Sequence, residues 1–368
     1  MIAYLACAIW VYLFFLHGGF WRSGPELPAA APPDAPDVDI VVPARDEAAT
    51  IAPVIASLLA QDYSGRFRVI LVDDNSSDGT AALAGSDARL TKISGEPKPP
   101  GWSGKLWALR QGIAAGNAPL LLFTDADIVH APGHLSALVA SLHSRGVAMA
   151  SEMVRLNCTS LAERALVPAF VYFFQMLYPF AKVNDRGSTV AAAAGGVILI
   201  RREVLNDCGG IDAIKTTLID DVALASLVKP HAAIYLGHSG LATSIRPYPH
   251  WADIWQMIAR TAFTQLRYSA GLLALTLVGL GLVWLVPPAA LLFGHGGVAL
   301  AGLVAVVLAM VSFMPTLARY GRNPLWALGL PLIALFYMAA TIASATQYWF
   351  GTGANWKNRA YESSPNRN

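Results

Sequence analysis

The sequence predicts an α/β domain with a mostly parallel sheet, carried on a membrane by apolar helices. Three observations predict it. The 368 residues are 55% hydrophobic and 14% charged, with a mean hydropathy of +0.47, too apolar for an ordinary soluble chain. Four apolar runs approach or reach membrane-spanning length. Between the first run and the other three, short β-branched segments alternate with helical patterns, the signature of βαβ units.

In chain order, Ile2 to Phe20 is almost unbroken apolar sequence ending in Trp21 and Arg22. No small-residue cleavage site comes after it, so residues 1–22 read as a retained anchor. A Pro/Ala-rich linker covers 23–36, and the α/β domain is expected over 37–247. Its strands are expected at Val38–Val42, Arg68–Val72, Leu120–Phe123 and Val147–Met153. Residues 248–268 place Trp251, Ile254, Trp255, Ile258, Ala262 and Leu266 at helical spacing, an amphipathic helix suited to a membrane surface.

The remaining spans, within 269–350, are Ser269–Phe293, Val298–Ala318 and Leu325–Phe350, with a polar tail, 351–368, after them. None of these spans carries an acidic or basic side chain, which speaks for anchors and against a transport pathway. Arg319 and Arg322 mark the last inter-helix connection, and with it the large polar segment, as cytoplasmic. Lys357, Arg359 and Arg367 in the tail run against that orientation. Ala169 to Phe180 is aromatic but too short to span, and reads either as a core helix or as an interfacial one that receives a lipid.

A net charge of +2 with scattered Lys and Arg offers no basic stripe, so no nucleic-acid partner is expected, and no protein partner is indicated. Cys7, Cys158 and Cys208 form neither a CxxC pair nor an even set, which excludes a disulfide framework or a zinc site and fits a reducing compartment.

In such sheets, ligands bind at the carboxyl ends of strands, so the polar residues there are the candidates. The first strand runs into Pro43-Ala-Arg45-Asp-Glu47 and the second into Asp73-Asp74-Asn-Ser-Ser-Asp-Gly-Thr80. Such residues also make ordinary turns, but carboxylates converging at adjacent strand ends can accept hydrogen bonds from a base and a ribose. The Leu120–Phe123 strand runs into Thr124-Asp125-Ala-Asp127, whose alternation puts both aspartates on one side, suited either to a hard cation such as Mg²⁺ or Mn²⁺ or to a plain solvated turn. Gly101-Trp-Ser-Gly-Lys105 opens a helix where backbone N–H groups and an ammonium meet phosphate, or else displays a plain surface lysine. Asp220 and Asp221 begin another helix and suit either the helix dipole or the base that takes an acceptor hydroxyl's proton. Arg260 and Arg267, seven apart, share a helix face that meets a departing diphosphate or lipid headgroups.

Taken together, Pro43 to Glu47, Asp73-Asp74, Gly104-Lys105, Asp125-Ala-Asp127, Gly195-Gly196 before Arg201-Arg202, Gly209-Gly210 and Asp220-Asp221 resemble glycosyltransferase family 2, over roughly Val38 to Tyr268. Lys98-Pro-Pro-Gly-Trp-Ser-Gly-Lys105, Ile219-Asp-Asp-Val-Ala-Leu224 and Arg260-Thr-Ala-Phe-Thr-Gln-Leu-Arg267 look most like bacterial hopene-associated glycosyltransferases and, less closely, ceramide glucosyltransferases. The resemblance implies a GT-A fold, a nucleotide-sugar donor of the UDP-linked kind, and an inverting transfer to a membrane lipid hydroxyl at a bacterial inner membrane. It implies that Pro43, Arg45, Glu47, Asp73, Asp74 and Lys105 serve the donor, that Asp125 lies against nucleotide and metal, and that Asp127 ligates the metal. It implies Asp221 as base beside Asp220, with Gly195, Gly196, Trp251 and Trp255 on the acceptor side. The family's (Q/R)xxRW signature is altered, with Thr264 first and Tyr268 last around Arg267. The alternatives are a processive polysaccharide synthase, which shares the catalytic fold, and a nucleotide-binding membrane scaffold without catalysis.

Overall fold

The computed structural model describes residues 1–351, with 355–356 and 359–360. Lys357, Arg367 and the Arg359 side chain lie outside the described residues. The chain divides into two compact units.

The first unit comprises Pro25–Asn157 and Lys182–Pro247 and is built on one eight-stranded sheet. Its strands are β1 (Val38–Ala44), β2 (Phe67–Asp73), β3 (Leu90–Ser94), β4 (Leu120–Thr124), β5 (Ile128–His130), β6 (Met149–Arg155), β7 (Val197–Arg201) and β8 (Ile234–Ser244). They lie in the order β3-β2-β1-β4-β7-β6-β8-β5. The pairs β2–β3, β1–β2, β1–β4 and β6–β8 are parallel, while β4–β7, β6–β7 and β5–β8 are antiparallel. The sheet is thus mixed and mostly parallel, the GT-A arrangement.

This topology brings the site together. Because β7 runs against β4, with Val197 opposite Thr124, the residues that precede β7 reach the edge where β4 ends. β6 and β8 both run against β7, so the end of β8 arrives there as well, with Ser244 opposite Ile128. The sequence reading misses β3, β5, β7 and β8, and with the last three every antiparallel pairing.

β1 is buried along its whole length, as a parallel strand covered on both faces should be. Each of its Val and Ile side chains contributes about 2 kcal/mol by leaving water. Asp39, buried near the start of this strand, accepts from Arg68 Nε at 2.5 Å, Arg202 Nη2 at 2.7 Å and the Ala118 amide at 2.8 Å. Two guanidinium groups and an amide compensate the desolvated carboxylate, which also gives Arg202 a structural task.

The second unit comprises Met1–Gly24, Cys158–Ala181 and Tyr248–Ala354. Among the described residues it holds three helices long and apolar enough to cross a membrane, Ala270–Phe293, Gly297–Arg319 and Pro324–Phe350. The N-terminal run forms a shorter apolar helix, Ile2–Phe15, which ends before Gly18 and Gly19, both in the left-handed region. This short helix mends a defect in its neighbour. Pro287 lacks the N–H that would bond the Val283 carbonyl, the helix widens to a π turn over Gly281–Leu285, and Trp10 Nε1 donates to Val283 O at 2.8 Å.

The aromatic stretch from Ala169 resolves as core. It lies in the helix Leu161–Leu177, where Tyr172 is fully buried with its hydroxyl 2.6 Å from Ser312 Oγ. The amphipathic segment forms the helix Trp251–Gln265. Its Ile254, Ile258 and Phe263 are buried, the Phe263 amide donates to Ser344 Oγ at 3.0 Å, and Trp251 and Trp255 pack their rings beside Phe336. The stripe's inner face therefore packs on another helix of the same unit.

Candidate active site

Two turns shape the edge of the sheet where β1 and β2 end. After β1 and β2 the chain enters the left-handed region at Asp46 (φ 50°) and Asn75 (φ 56°), a conformation that Asp and Asn tolerate. The turns latch together: Asp46 Oδ1 accepts from the Ser77 amide at 2.8 Å, and the Glu47 amide donates to Thr80 Oγ1 at 2.8 Å. Asp73 closes its own turn, accepting from the amide and hydroxyl of Ser76. Asp74 is buried, and Arg45 Nη1 lies 2.5 Å from its carbonyl oxygen and 3.7 Å from its carboxylate.

Beyond these turns stand two clusters, each a cation held between two carboxylates. In the first, Lys105 Nζ lies 2.9 Å from Asp125 Oδ1 and 3.1 Å from Asp220 Oδ2. Lys105 gets there because Ser103 caps the helix Gly104–Ala114, its Oγ accepting from the Leu106 amide, which sets the first turn against the end of β4. Pro43, Phe123, Thr124 and Gly195 line the same crevice. In the second cluster, Arg246 Nη2 lies 2.5 Å from Glu47 Oε1 and its Nε 2.9 Å from Asp127 Oδ2, which also accepts from Ser244 Oγ at 3.1 Å.

Asp221 stands beside Asp220 in the first turn of the helix Asp220–Val228, its Oδ1 accepting from the Val222 amide at 2.8 Å. It abuts Gly195 so closely that a methyl there would come within 3.2 Å of Asp221 Oδ2. Burial and then the Asp220 charge push the Asp221 carboxyl up to about 7, against the pull of Lys105. Asp125 is also raised, by burial first and by Asp127, with Lys105 opposing. For Lys105, burial disfavours the charge, but Asp125 and Asp220 outweigh it and hold the ammonium protonated.

The structure therefore gathers Lys105, Asp125, Asp220, Asp221 and Gly195 in one cluster and Glu47 and Asp127 in another, with Gly196 O accepting from the Asp125 amide at 3.3 Å. Arg260 and Arg267 belong to the apolar unit, as do Trp251 and Trp255. Both arginines are exposed, and Arg267 (φ 51°) and Tyr268 (φ 56°) form a left-handed turn after the helix. Sequence reasoning misses Arg246 and Ser244. A signal for them exists in the β-rich run of eleven residues, Ile234–Ser244, whose end brings both to the site.

Among the described residues no group of three His, Cys, Asp or Glu side chains forms a closed metal cage. The donor chemistry still fits a hard divalent cation. Asp127 is close enough to Asp125 to raise that residue's cost of ionisation, and Asp127 Oδ2 takes a guanidinium, the kind of charge a metal would supply. Magnesium-type sites commonly use one or two carboxylates, with water and substrate phosphates completing the shell.

Comparison with known proteins agrees with this fold. Residues 39–209 match the profile of the family described as "Glycosyl transferase family 2". The chain is similar to an N-acetylglucosaminyltransferase of Mesorhizobium japonicum, at 29% identity over 31% of this chain and 28% of that protein. It is also similar to a beta-monoglucosyldiacylglycerol synthase of Trichormus variabilis, at 27% identity over 51% of this chain and 40% of the relative. The matches thus span well under half the length of these relatives. A mannosyltransferase from Pyrobaculum calidifontis, solved in complex with GDP-Man and Mn²⁺, shares the fold with a TM-score of 0.55 at 20% identity, covering 95% of this chain and 99% of that one.

Proposed function

We propose that this protein is an inverting glycosyltransferase that moves a sugar from a nucleoside-diphosphate donor to the hydroxyl of a membrane lipid. The carrying observation is Asp221, a carboxyl pushed up to about 7 beside Gly195 and the Lys105 cluster. A base poised near neutrality is what removal of an acceptor hydroxyl's proton asks for. In this reading Asp221 takes that proton as the acceptor oxygen attacks the anomeric carbon from the face opposite the diphosphate. The bond to the diphosphate breaks, configuration inverts, and no covalent enzyme intermediate forms.

Glu47 and Asp74, held at adjacent strand ends with Arg45, receive the nucleotide, while Asp73 keeps its turn closed. Asp127 and Asp125 would hold Mg²⁺ or Mn²⁺, which would supply positive charge to the departing diphosphate. Lys105 already sits among the carboxylates as a fixed positive charge and turns to the same phosphates, with Arg260 and Arg267 as the further candidates. Support for divalent metal comes from the Mn²⁺ bound by the fold relative, and support for a lipid acceptor from the diacylglycerol-named relative together with the three spanning helices. A hopanoid acceptor, a UDP-linked donor and a cytoplasm-facing domain in a bacterial inner membrane rest on the sequence resemblance. The test is mass spectrometry of membrane lipids from cells with and without the gene, fed labelled UDP-sugars. A glycolipid that appears only with the gene is expected, and identical lipid profiles would overturn the proposal.

A further inference from the structure

Behind the site runs a chain of buried polar side chains that the proposed chemistry does not use. Thr124 at the end of β4, His130 in β5, His134 at the start of the helix His134–Ser144 and Glu152 in β6 are all at most 3% exposed. They touch in series: Thr124 Oγ1 to His130 Nε2 at 2.9 Å, His130 Nδ1 to His134 Nδ1 at 2.7 Å, and His134 Nε2 to Glu152 Oε2 at 2.7 Å. The front of the chain is also tied, since Thr124 Oγ1 lies 3.0 Å from the Gly196 carbonyl. Gly196 comes directly after the glycine against Asp221, and Thr124 precedes Asp125.

Counting hydrogens leaves two arrangements. If Thr124 donates to Gly196 O, His130 must donate to Thr124 through Nε2–H and accept at Nδ1 from His134 Nδ1–H. The last contact then needs one more proton, shared between His134 Nε2 and Glu152, and the chain is neutral overall. If that proton leaves to solvent, every remaining hydrogen reverses. Glu152 becomes a carboxylate accepting from His134 Nε2–H, His130 donates from Nδ1–H, and Thr124 turns its hydroxyl to His130 and releases Gly196. Only the first arrangement satisfies all four contacts, and it avoids a net charge in a fully buried place.

The groups that face the chain do not supply a compensating cation at Glu152. On the face of β8 that Glu152 shares stand Gly237 and Tyr235, with Arg145 stacked on the Tyr235 ring and Glu26 near the same tyrosine. Glu152 Oε1 and the Tyr235 hydroxyl are both buried without a hydrogen-bond partner. Burial and His134 also hold His130 well below the usual imidazole range, so it carries a single ring proton.

We propose that Thr124, His130, His134 and Glu152 form a proton-loaded positioning relay, which pins the Gly195-Gly196 loop to the end of β4 and so fixes Asp221 relative to Asp125. The four are positioning residues, and their effect on turnover rests on the glycosyltransfer reading. The first test does not. Imidazole nitrogen NMR on the ¹⁵N-histidine-labelled full chain in detergent micelles at pH 7 should show His130 protonated at Nε2, and protonation at Nδ1 would overturn the relay as drawn.

The second test is kcat and KM of sugar transfer for the wild-type chain, for Glu152→Gln, whose amide nitrogen donates to His134, and for Glu152→Leu, which cannot. Glu152→Gln should keep kcat, and Glu152→Leu should lose about tenfold in kcat with KM unchanged. Equal losses in both variants would reduce the relay to scaffolding. If the wild-type chain transfers no sugar while His130 shows the Nε2 tautomer, the glycosyltransfer reading fails and the proton-loaded arrangement stands.

Discussion

The two cation-centred clusters are built alike but from different parts. Lys105 is a point charge on the first turn of a helix, shared between Asp125 and Asp220. Arg246 is a fork at the end of β8, spanning Glu47 and Asp127 with two different nitrogens. An ammonium neutralises whichever carboxylates surround it, so its removal is felt as charge; a guanidinium fixes geometry as well, so its removal also loosens the parts it joins. In the lysine cluster the proposed base is beside the pair, and in the arginine cluster the candidate metal ligand is in it. One cluster thus tunes protonation while the other holds the place of a cation.

The largest effect should come from the carboxylates themselves. Asp221→Asn is expected to lower kcat by about 10²- to 10⁴-fold, the usual contribution of a general base, with donor affinity by calorimetry unchanged. Asp127→Ala should abolish transfer and Mn²⁺ binding together, and wild-type-like activity in either variant would break the assignment. Next in size is the lysine. Because Lys105 pulls the Asp221 carboxyl down against burial and Asp220, Lys105→Ala should move the acid limb of the pH–rate profile upward from about 7. An acid limb that stays in place would dissolve the claim that this cluster tunes the base.

The same protonation bears on stability. An acid raised in the fold binds its proton more readily there than in the unfolded chain, so Asp221 favours the fold most below its ordinary value near 4. That contribution is lost as the pH rises through about 7, the same interval in which the base becomes active. Asp221→Asn should therefore raise the thermal midpoint more at pH 8 than at pH 5. Smallest is the arginine: Arg246→Ala, by freeing Asp127 Oδ2, should tighten Mn²⁺ binding to the donor-free protein about fivefold, the size of a partly exposed ion pair. Weaker Mn²⁺ binding would mean that Arg246 orders the metal site instead of standing in for the metal.

The apolar runs, the linker and the parallel strands β1, β2 and β4 are legible in the sequence because hydrophobic period and length are local properties. So are the carboxylates at their ends, since a parallel strand announces its ligand edge by the polar residues directly after it. β7 is not legible in this way, because an antiparallel strand presents its beginning to the site, and Gly195 therefore enters only through family resemblance. Arg246 is missed for want of β8, and Asp73 illustrates the opposite case, a carboxylate engaged in its own turn.

By itself the sequence determined which stretches can leave water and which residue types are available for chemistry, because transfer free energy and ionisation belong to the side chain. Only the tertiary structure decided which charges share a neighbourhood. Lys105 meets Asp125 and Asp220, and Arg246 meets Glu47 and Asp127, across separations of 20 to 199 residues. The protonation of Asp221 depends on that neighbourhood and on burial, and neither can be read along the chain.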